Sequence, residues 1–523
     1  MFIILTSNPN PQITSSRYSG RDRTSNERMD VFKLVPQLVA SEHYYLAGLG
    51  LFLGIMVYSK YSHVSVDEST DLAKSFHKLC NYRYLPIVCL KTIAECLRNI
   101  YLYDYYLSCG YSSSQMFMLG VVYVASLISN CAIGGFGDVN GRKYSCLIYC
   151  ILSIVIVMLI AVPNYNFALL TMMILGWSSN LCNITFEAWF LGEHQKLGYY
   201  DFEIALLRDT FSNVYICTAM SALLAVLLGQ FCIVQYGGTV AAILFSIFPY
   251  VIIILFLVSV WDENYGSNNR NNGGASITKL FGAFVTSYNI YTSDYKLMAL
   301  SVAQSLHELS AILILMGLVT TNYYFDDNVS QMNRLLYVIV GFLIYSALGV
   351  ALLKYKLNDR ENIYQIPLFP HLSVLLLSII ALYSKSFVNF YLIIFAVVAG
   401  LVNPSYSVMK AEKLSEDTRC MCAHIFRAPL YIMLGVVLFF NVAVTSNYFT
   451  VSAIANILVF LCYRYYYSET VKEEMEEVTL QVGTSDYGIE TGVGNVGNRV
   501  RNFSITRQTS ELDVYLREYK SIA

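Results

Sequence analysis

Charge is what this sequence has least of. Only 13% of its 523 residues are Asp, Glu, Lys or Arg, against roughly 25% in an ordinary soluble chain. So little charge excludes a large water-facing surface on a chain of this length. The formal net charge is −2, so bulk charge draws no nucleic acid. Metal-binding patterns are missing too. The 13 cysteines are scattered, with no C-x-x-C pair and no Cys/His group at ligand spacing. Cys146, Cys150 and Cys217 lie inside apolar runs and read as small buried side chains. There is no G-x-S-x-G, no Walker A loop and no H-E-x-x-H, so no catalytic residue, metal site or cofactor site is read. A missing nucleotide loop argues against a primary pump and leaves transport driven by an ion or solute gradient. Met1 to Leu5 is too short an apolar block for a signal peptide.

Long apolar runs fill the space that charge leaves. Hydrophobic residues make up 56% of the chain and the mean hydropathy is +0.50. Runs long enough to cross a bilayer fall near 84–107, 113–136, 144–162, 167–190, 208–231 and 237–260. Six more fall near 296–320, 331–353, 366–384, 387–409, 421–445 and 447–466. The pattern predicts an all-α polytopic membrane protein, with twelve core spans in two bundles of six, residues 84–261 and 296–466. Residues 1–38 read as a disordered polar tail. Residues 39–83 read as an extra N-terminal span, Tyr44 to Tyr58, and its loop. A flexible linker is expected over 262–295, around the Asn/Gly-rich stretch Gly266 to Gly274. A disordered acidic and Ser/Thr-rich tail is expected over 467–523.

Loop charge sets the orientation. Lys and Arg gather at Gly141–Lys143, in the loop with Lys354, Lys356 and Arg360, and in the loop with Lys410, Lys413 and Arg419. The intervening loops are short and nearly free of both, so the basic loops belong in the cytoplasm. The linker and the C-terminal tail fall on that side. Asn328-Val329-Ser330 is a glycosylation sequon on the opposite side. No sorting signal is visible; the plasma membrane is the default, with an internal membrane the alternative.

The turn Gly134-Gly135-Phe136-Gly137-Asp138-Val139-Asn140-Gly141-Arg142-Lys143 separates two of the runs. Its glycines let helices approach closely. Asp138 can meet a helix N-terminus or an arginine. The turn resembles the G-x-L-A-D-R-x-G-R-K signature of the major facilitator superfamily, which joins the second and third helices of that fold. Gly134, Asp138, Gly141, Arg142 and Lys143 match. Phe136 stands where leucine is usual, and Val139 where arginine is usual.

Ionisable groups inside spans are costly, and each is a candidate functional residue. Lys91, Glu95 and Arg98 fall within about 60° of one another on a helix and make one charged face. Glu95 is a candidate proton carrier and Arg98 an anion contact, if the face meets a central cavity. Glu187 lies one turn inside the end of its span. Arg208 begins the next span, so the two can pair across a helical hairpin. Glu308 sits about a dozen residues into its span, and a lone carboxylate there suits proton coupling. Its neighbour His307 points about 100° away. Arg427 lies beside Pro429, where it can snorkel to the surface or face the cavity.

Taken together, these clusters resemble the molybdate-anion transporter family, a divergent branch of the major facilitator superfamily. The resemblance runs from about Tyr84 to about Tyr463. It is carried by Glu95 with Tyr101-Leu102-Tyr103, Gly141-Arg142-Lys143, Phe186-Glu187-Ala188-Trp189 with Glu193-His194, and Arg208 with Phe211 and Asn213. Glu263-Asn264-Tyr265, Gln304 with Glu308, Pro404-Ser405 with Ser407, and Phe426-Arg427 with Pro429-Leu430 complete it. Arg98 departs from the neutral polar residue usual in the family, and His307 from an aromatic one. The resemblance implies uptake of molybdate, a tetrahedral dianion. Arg98, Arg208 and Arg427 would hold the oxyanion. Glu95, Glu187 and Glu308 would balance them and carry protons. The two halves would rock about the site. Alternatives are a proton-coupled carrier of a sugar or amino acid, with some of the 43 tyrosines lining its pocket, and a receptor or scaffold acting through its tails.

Overall fold

The computed structural model describes residues 71–131, 134–197, 203–266, 277–320, 331–356, 388–439 and 445–486, with short pieces between 367 and 376. The extra N-terminal span, the sequon, the Asn-rich stretch and most of the run near 366–384 lie outside the described residues. Among the described residues every regular element is helical.

The first helix, α1 (Asp71–Lys78), continues through wider π-type turns (Leu79–Tyr84) into α2 (Leu85–Ile100). Then follow α3 (Leu102–Ser108), α4 (Ser113–Asn130), the short α5 (Phe136–Asn140), α6 (Arg142–Ile160), α7 (Tyr165–Lys196) and α8 (Glu203–Tyr236). Next are α9 (Thr239–Phe245), α10 (Ile247–Val260), α11 (Ile277–Ser293), α12 (Tyr295–Thr320) and α13 (Gln331–Lys356). Last come α14 (Val388–Lys413), α15 (Arg419–Phe439) and α16 (Thr445–Asp486).

Local sequence explains several boundaries. Ser112 caps α4 in a capping box: its hydroxyl accepts from the Gln115 amide, and the Gln115 side chain accepts from the Ser112 amide at 2.8 Å. Asn164 caps α7, accepting from the Asn166 amide at 2.9 Å. The expected first core span breaks at Tyr101, between α2 and α3. Its hydroxyl donates to the Val226 carbonyl at 3.0 Å, and its ring lies where a side chain on Gly229 of α8 would otherwise sit.

Among the described residues, seven helices are long and apolar enough to cross a membrane. Their burial is inverted relative to a water-soluble helix. On α6, Ile151, Val155 and Met158, at i, i+4 and i+7, are exposed, whereas Ser145, Tyr149 and Ser153 are buried. An apolar outside and a polar inside is what a lipid solvent selects. The 32-residue α7 is about 48 Å long, well beyond the ~30 Å hydrocarbon core. Its polar end, Glu193 to Lys196, therefore reaches past the apolar layer.

Small residues set the closest packing. A Cβ on Gly349 of α13 would lie 2.0 Å from the Val397 carbonyl oxygen, and one on Gly400 of α14 would lie 1.9 Å from that of Ser346. The two backbones therefore touch, as small-residue contacts in membranes allow. Helices from before and after the linker pack on each other: α8 against α13 and α14, and α4 against α15.

Two expectations need correction. The linker over 262–295 contains a regular helix, α11, which packs on α15, α12 and α5. Its apolar residues Leu280, Phe284 and Ile290 were outweighed in the sequence by the Asn/Gly run before them. Apolar character fades after Tyr467, yet α16 continues to Asp486. Strong helix formers such as Glu473, Glu474, Glu476 and Glu477 favour its continuation. The chain divides into two compact units there, residues 1–467 and 468–523.

Candidate functional site: a charged cavity and a polar lock

The helix end carrying Arg142, Lys143, Lys410, Lys413 and Arg419 is called the basic end. At this end the glycine-rich turn locks α6 to α15. One oxygen of Asp138 accepts from the backbone amides of Cys420 and Met421 at 2.9 and 3.2 Å, at the start of α15. That is where the helix dipole favours a carboxylate. The other oxygen accepts from Arg142 at 3.1 Å. Arg142 is wholly buried; it donates to the Ala188 carbonyl at 3.1 Å and the Glu416 carbonyl at 2.9 Å, and it ion-pairs with the Glu416 carboxylate. Arg419 closes the chain with a 2.8 Å contact to Glu416. Asp138 thus meets both a helix start and an arginine.

The segment after α10 folds back over the same turn. Glu263 accepts from the amides of Lys143 and Tyr144 at 2.8 and 3.0 Å, capping α6. The Asn264 carbonyl accepts the Arg142 amide at 3.0 Å. Gly141 has φ +107°, and a Cβ there would lie 2.5 Å from the Glu263 carboxyl carbon, so no other residue fits without strain. A Cβ on Gly134 would strike the His424 ring at 2.3 Å. Burial pushes the carboxyl groups of Asp138 and Glu263 above their ordinary range; Arg142 and backbone amides pull the first back, and three backbone amides the second. The tryptophans complete the packing. Trp189 and Trp261 stack at 3.4 Å, donating to the carbonyls of Asp262 and Arg83.

A cavity of about 390 Å³ lies among α2, α7, α8 and α14. Its polar wall is Lys91, Thr92, Glu95, Asn99, Glu187 and Ser407, and its aromatic wall includes Tyr84, Phe186, Phe211 and Tyr215. Glu95 accepts from Tyr149 at 3.1 Å. Lys91 lies over the Phe186 ring, 5.6 Å from its centre. Arg98 is fully buried, with its charge 5.8 Å from the Tyr250 ring centre. Its Nε donates to Asn99 at 3.1 Å, while Nη1 and Nη2 have no hydrogen-bond partner among the described residues. Of the three residues read as one charged face, Lys91 and Glu95 line the cavity and Arg98 is joined to it through Asn99.

Glu187 ion-pairs with Lys410 of α14 at 2.8 Å; the pair weighed from sequence was with Arg208. A hairpin neighbour looked accessible in one dimension, but α14 crosses closer in three. Arg208 is half-buried, on the α8 face of Phe211 and Tyr215, and is not among the residues lining the cavity. Glu187 also lines a narrow crevice that reaches Arg419, so its pair with Lys410 stands between cavity and lock.

Glu308 is not the lone carboxylate expected. It pairs with Arg427 of α15 at 3.2 Å and accepts from Gln304 at 2.9 Å. The two side chains keep 26% and 24% of their surface exposed, inside a helix bundle. Tyr215, on the cavity wall, bonds Ser407 at 3.2 Å and lies in the field of Glu187, Glu308 and Arg427. Glu95 and Glu187 thus line the cavity, whereas Glu308 and Arg427 are not among its lining residues and reach it through the field at Tyr215. Sequence reading missed Lys410, because a lysine near a helix end reads as an orientation signal, and undervalued Lys91.

Lipid-facing helices around a polar cavity, with a charged turn locking one end of the bundle, are the build of a multi-pass membrane protein. A family model described as sugar transporters with 12 transmembrane segments matches residues 43–407. The chain belongs to that family, within the major facilitator superfamily, and is a secondary transporter. The molybdate-anion transporters of Xenopus laevis and Xenopus tropicalis are each 23% identical to it over 453 residues, covering 81% of this chain and 94% of theirs. Among solved structures, the human organic anion transporter MFSD10 (TETRAN) matches with a TM-score of 0.53 at 12% identity, over 73% of this chain and 99% of that one. The fucose:proton symporter FucP of E. coli matches with a TM-score of 0.55 at 13% identity, over 76% and 99%.

Proposed function

We propose that this transporter carries a small oxyanion, molybdate first among them, across the plasma membrane by alternating access between two six-helix halves, without enzymatic chemistry. The observation that carries the reading is an excess of positive charge among the described residues at and next to the cavity. Lys91, Arg98, Lys410 and Arg427 stand against Glu95, Glu187 and Glu308. Four cations face three carboxylates, and Arg98 keeps two guanidinium nitrogens without acceptors. An unpaired buried charge is costly. A tetrahedral anion supplies the missing negative charge. Lys91 and Arg427 are the direct contacts in this reading, with Arg98 acting through Asn99. Arg208 takes an outer role, one turn from the cavity wall toward the basic end.

A sugar-like solute is the second reading. The aromatic wall of Tyr84, Phe186, Phe211 and Tyr215 suits a pyranose face, and the cavity is roomier than a four-oxygen anion needs. The test is uptake by the purified protein in vesicles, with molybdate, sulfate and a panel of sugars. Saturable molybdate uptake that Lys91→Gln and Arg427→Gln abolish supports the oxyanion reading. Sugar uptake with no molybdate flux replaces it by the second.

A further inference from the structure

We propose that His307 and His371 form a proton-binding site, apart from the substrate cavity, whose occupancy loosens the Glu308–Arg427 pair. The proposal rests on the secondary-transporter reading and not on the identity of the solute.

His307 of α12 is 1% exposed, stacked on Phe395 at 5.2 Å. His371 meets it edge-on, with ring centres 5.3 Å apart at 74°. His371 Nε2 lies 2.9 Å from the Tyr406 hydroxyl, which fixes that ring. Among the described residues its Nδ1 has no partner, and neither does either nitrogen of His307. Three unpartnered nitrogens in one buried box are unusual, because buried polar groups are nearly always satisfied. Each unmade bond costs about 1–3 kcal/mol. A neutral imidazole offers one donor and one acceptor, so a small ring rotation lets one proton be shared between the two.

Among the described residues, the titratable groups around the pair are Tyr406 of α14, Tyr463 of α16 and Glu308 of α12, the last held by Arg427 of α15. No carboxylate in that set hydrogen-bonds either ring. The Glu308 carboxylate, one residue on from His307, acts on it through its field rather than by contact. A proton arriving on the pair attracts Glu308 and competes with Arg427, at the contact joining α12 to α15. Arg427 is then released toward an anion in the passage. Proton entry and anion binding thus favour one another, as co-transport requires. No covalent step is involved.

The experiment uses the full chain in vesicles, with molybdate as the probe. Net uptake driven by an imposed pH gradient is compared with molybdate exchange at equal pH. His307→Gln breaks no recorded hydrogen bond, and His371→Gln keeps a group able to meet Tyr406. The expected result is loss of gradient-driven uptake in both variants, with exchange at the wild-type rate. A gradient response equal to wild type in either variant overturns the proposal. If the wild type moves no molybdate, the substrate reading fails, and the unfolding midpoint across roughly pH 3–8, a window wide enough for a buried histidine, decides this one. A pH-dependent step lost in both variants supports the proposal; a flat wild-type profile, or a step the variants retain, overturns it.

Discussion

The lock at the basic end and the histidine box in the interior are both buried and polar, but they treat their polar groups differently. In the lock, both oxygens of Asp138 and two of the three nitrogens of Arg142 have partners, and only Arg142 Nε is left without one among the described residues. In the box, three of four imidazole nitrogens have none. Arg98 resembles the box, with two open nitrogens beside a cavity. Paired groups hold helices in one arrangement. Unpaired ones store a demand that a proton or a solute can meet. The comparison teaches where this fold is fixed and where it is poised.

The strongest way to break the comparison is Arg142→Gln. It leaves Asp138 and Glu416 without their shared cation, one of them fully buried, and should cost about 3–5 kcal/mol. A much lower melting temperature and poor surface yield are expected; a variant as stable as wild type would mean the lock carries no energy.

Gly141→Ala comes next. Its positive-φ, extended backbone costs a non-glycine residue roughly 1–3 kcal/mol, and the Cβ must also displace Glu263 from the start of α6. Reduced thermal stability is expected, read beside Gly110→Ala. Gly110 has φ +81° but open space around it, so a smaller loss is expected there, from the backbone alone.

Arg427→Gln sharpens the contrast from the other side. Its pair with Glu308 is about one-quarter exposed, so the stability cost should be nearer 1 kcal/mol once water screening is allowed for. Molybdate uptake should nonetheless vanish while surface protein persists. Uptake at the wild-type rate would remove Arg427 from the site.

The smallest effect is expected at Lys472→Ala on α16. The Lys472 side chain is 53% exposed in its pair with Glu469, and such pairs give 0 to about 0.5 kcal/mol. A measurable change in melting temperature would show that the polar extension of this helix matters to stability.

Much of the candidate site was legible in the sequence, unevenly. The charged face on α2 followed from spacing alone, because three- and four-residue intervals share a helix face. Asp138, Gly141 and Arg142 were legible because a turn between apolar runs leaves few roles for such residues. The partners of Glu187 and Glu308 were not legible. Lys410 and Arg427 lie more than 100 residues from them, and sequence carries no distance across helices. α11 was obscured for a different reason: a low-complexity neighbour masked its apolar residues.

By itself the sequence determined that this chain is a bundle of membrane helices, where its basic turns lie, and which charges are costly enough to need a reason. Those properties follow from composition and period, which act locally. Tertiary structure alone decided which charge meets which, that Arg208 stays off the cavity wall while Lys91 lines it, and that two distant histidines share a box. Those outcomes depend on how helices cross, and crossing is set by the small residues and side-chain shapes of several segments at once.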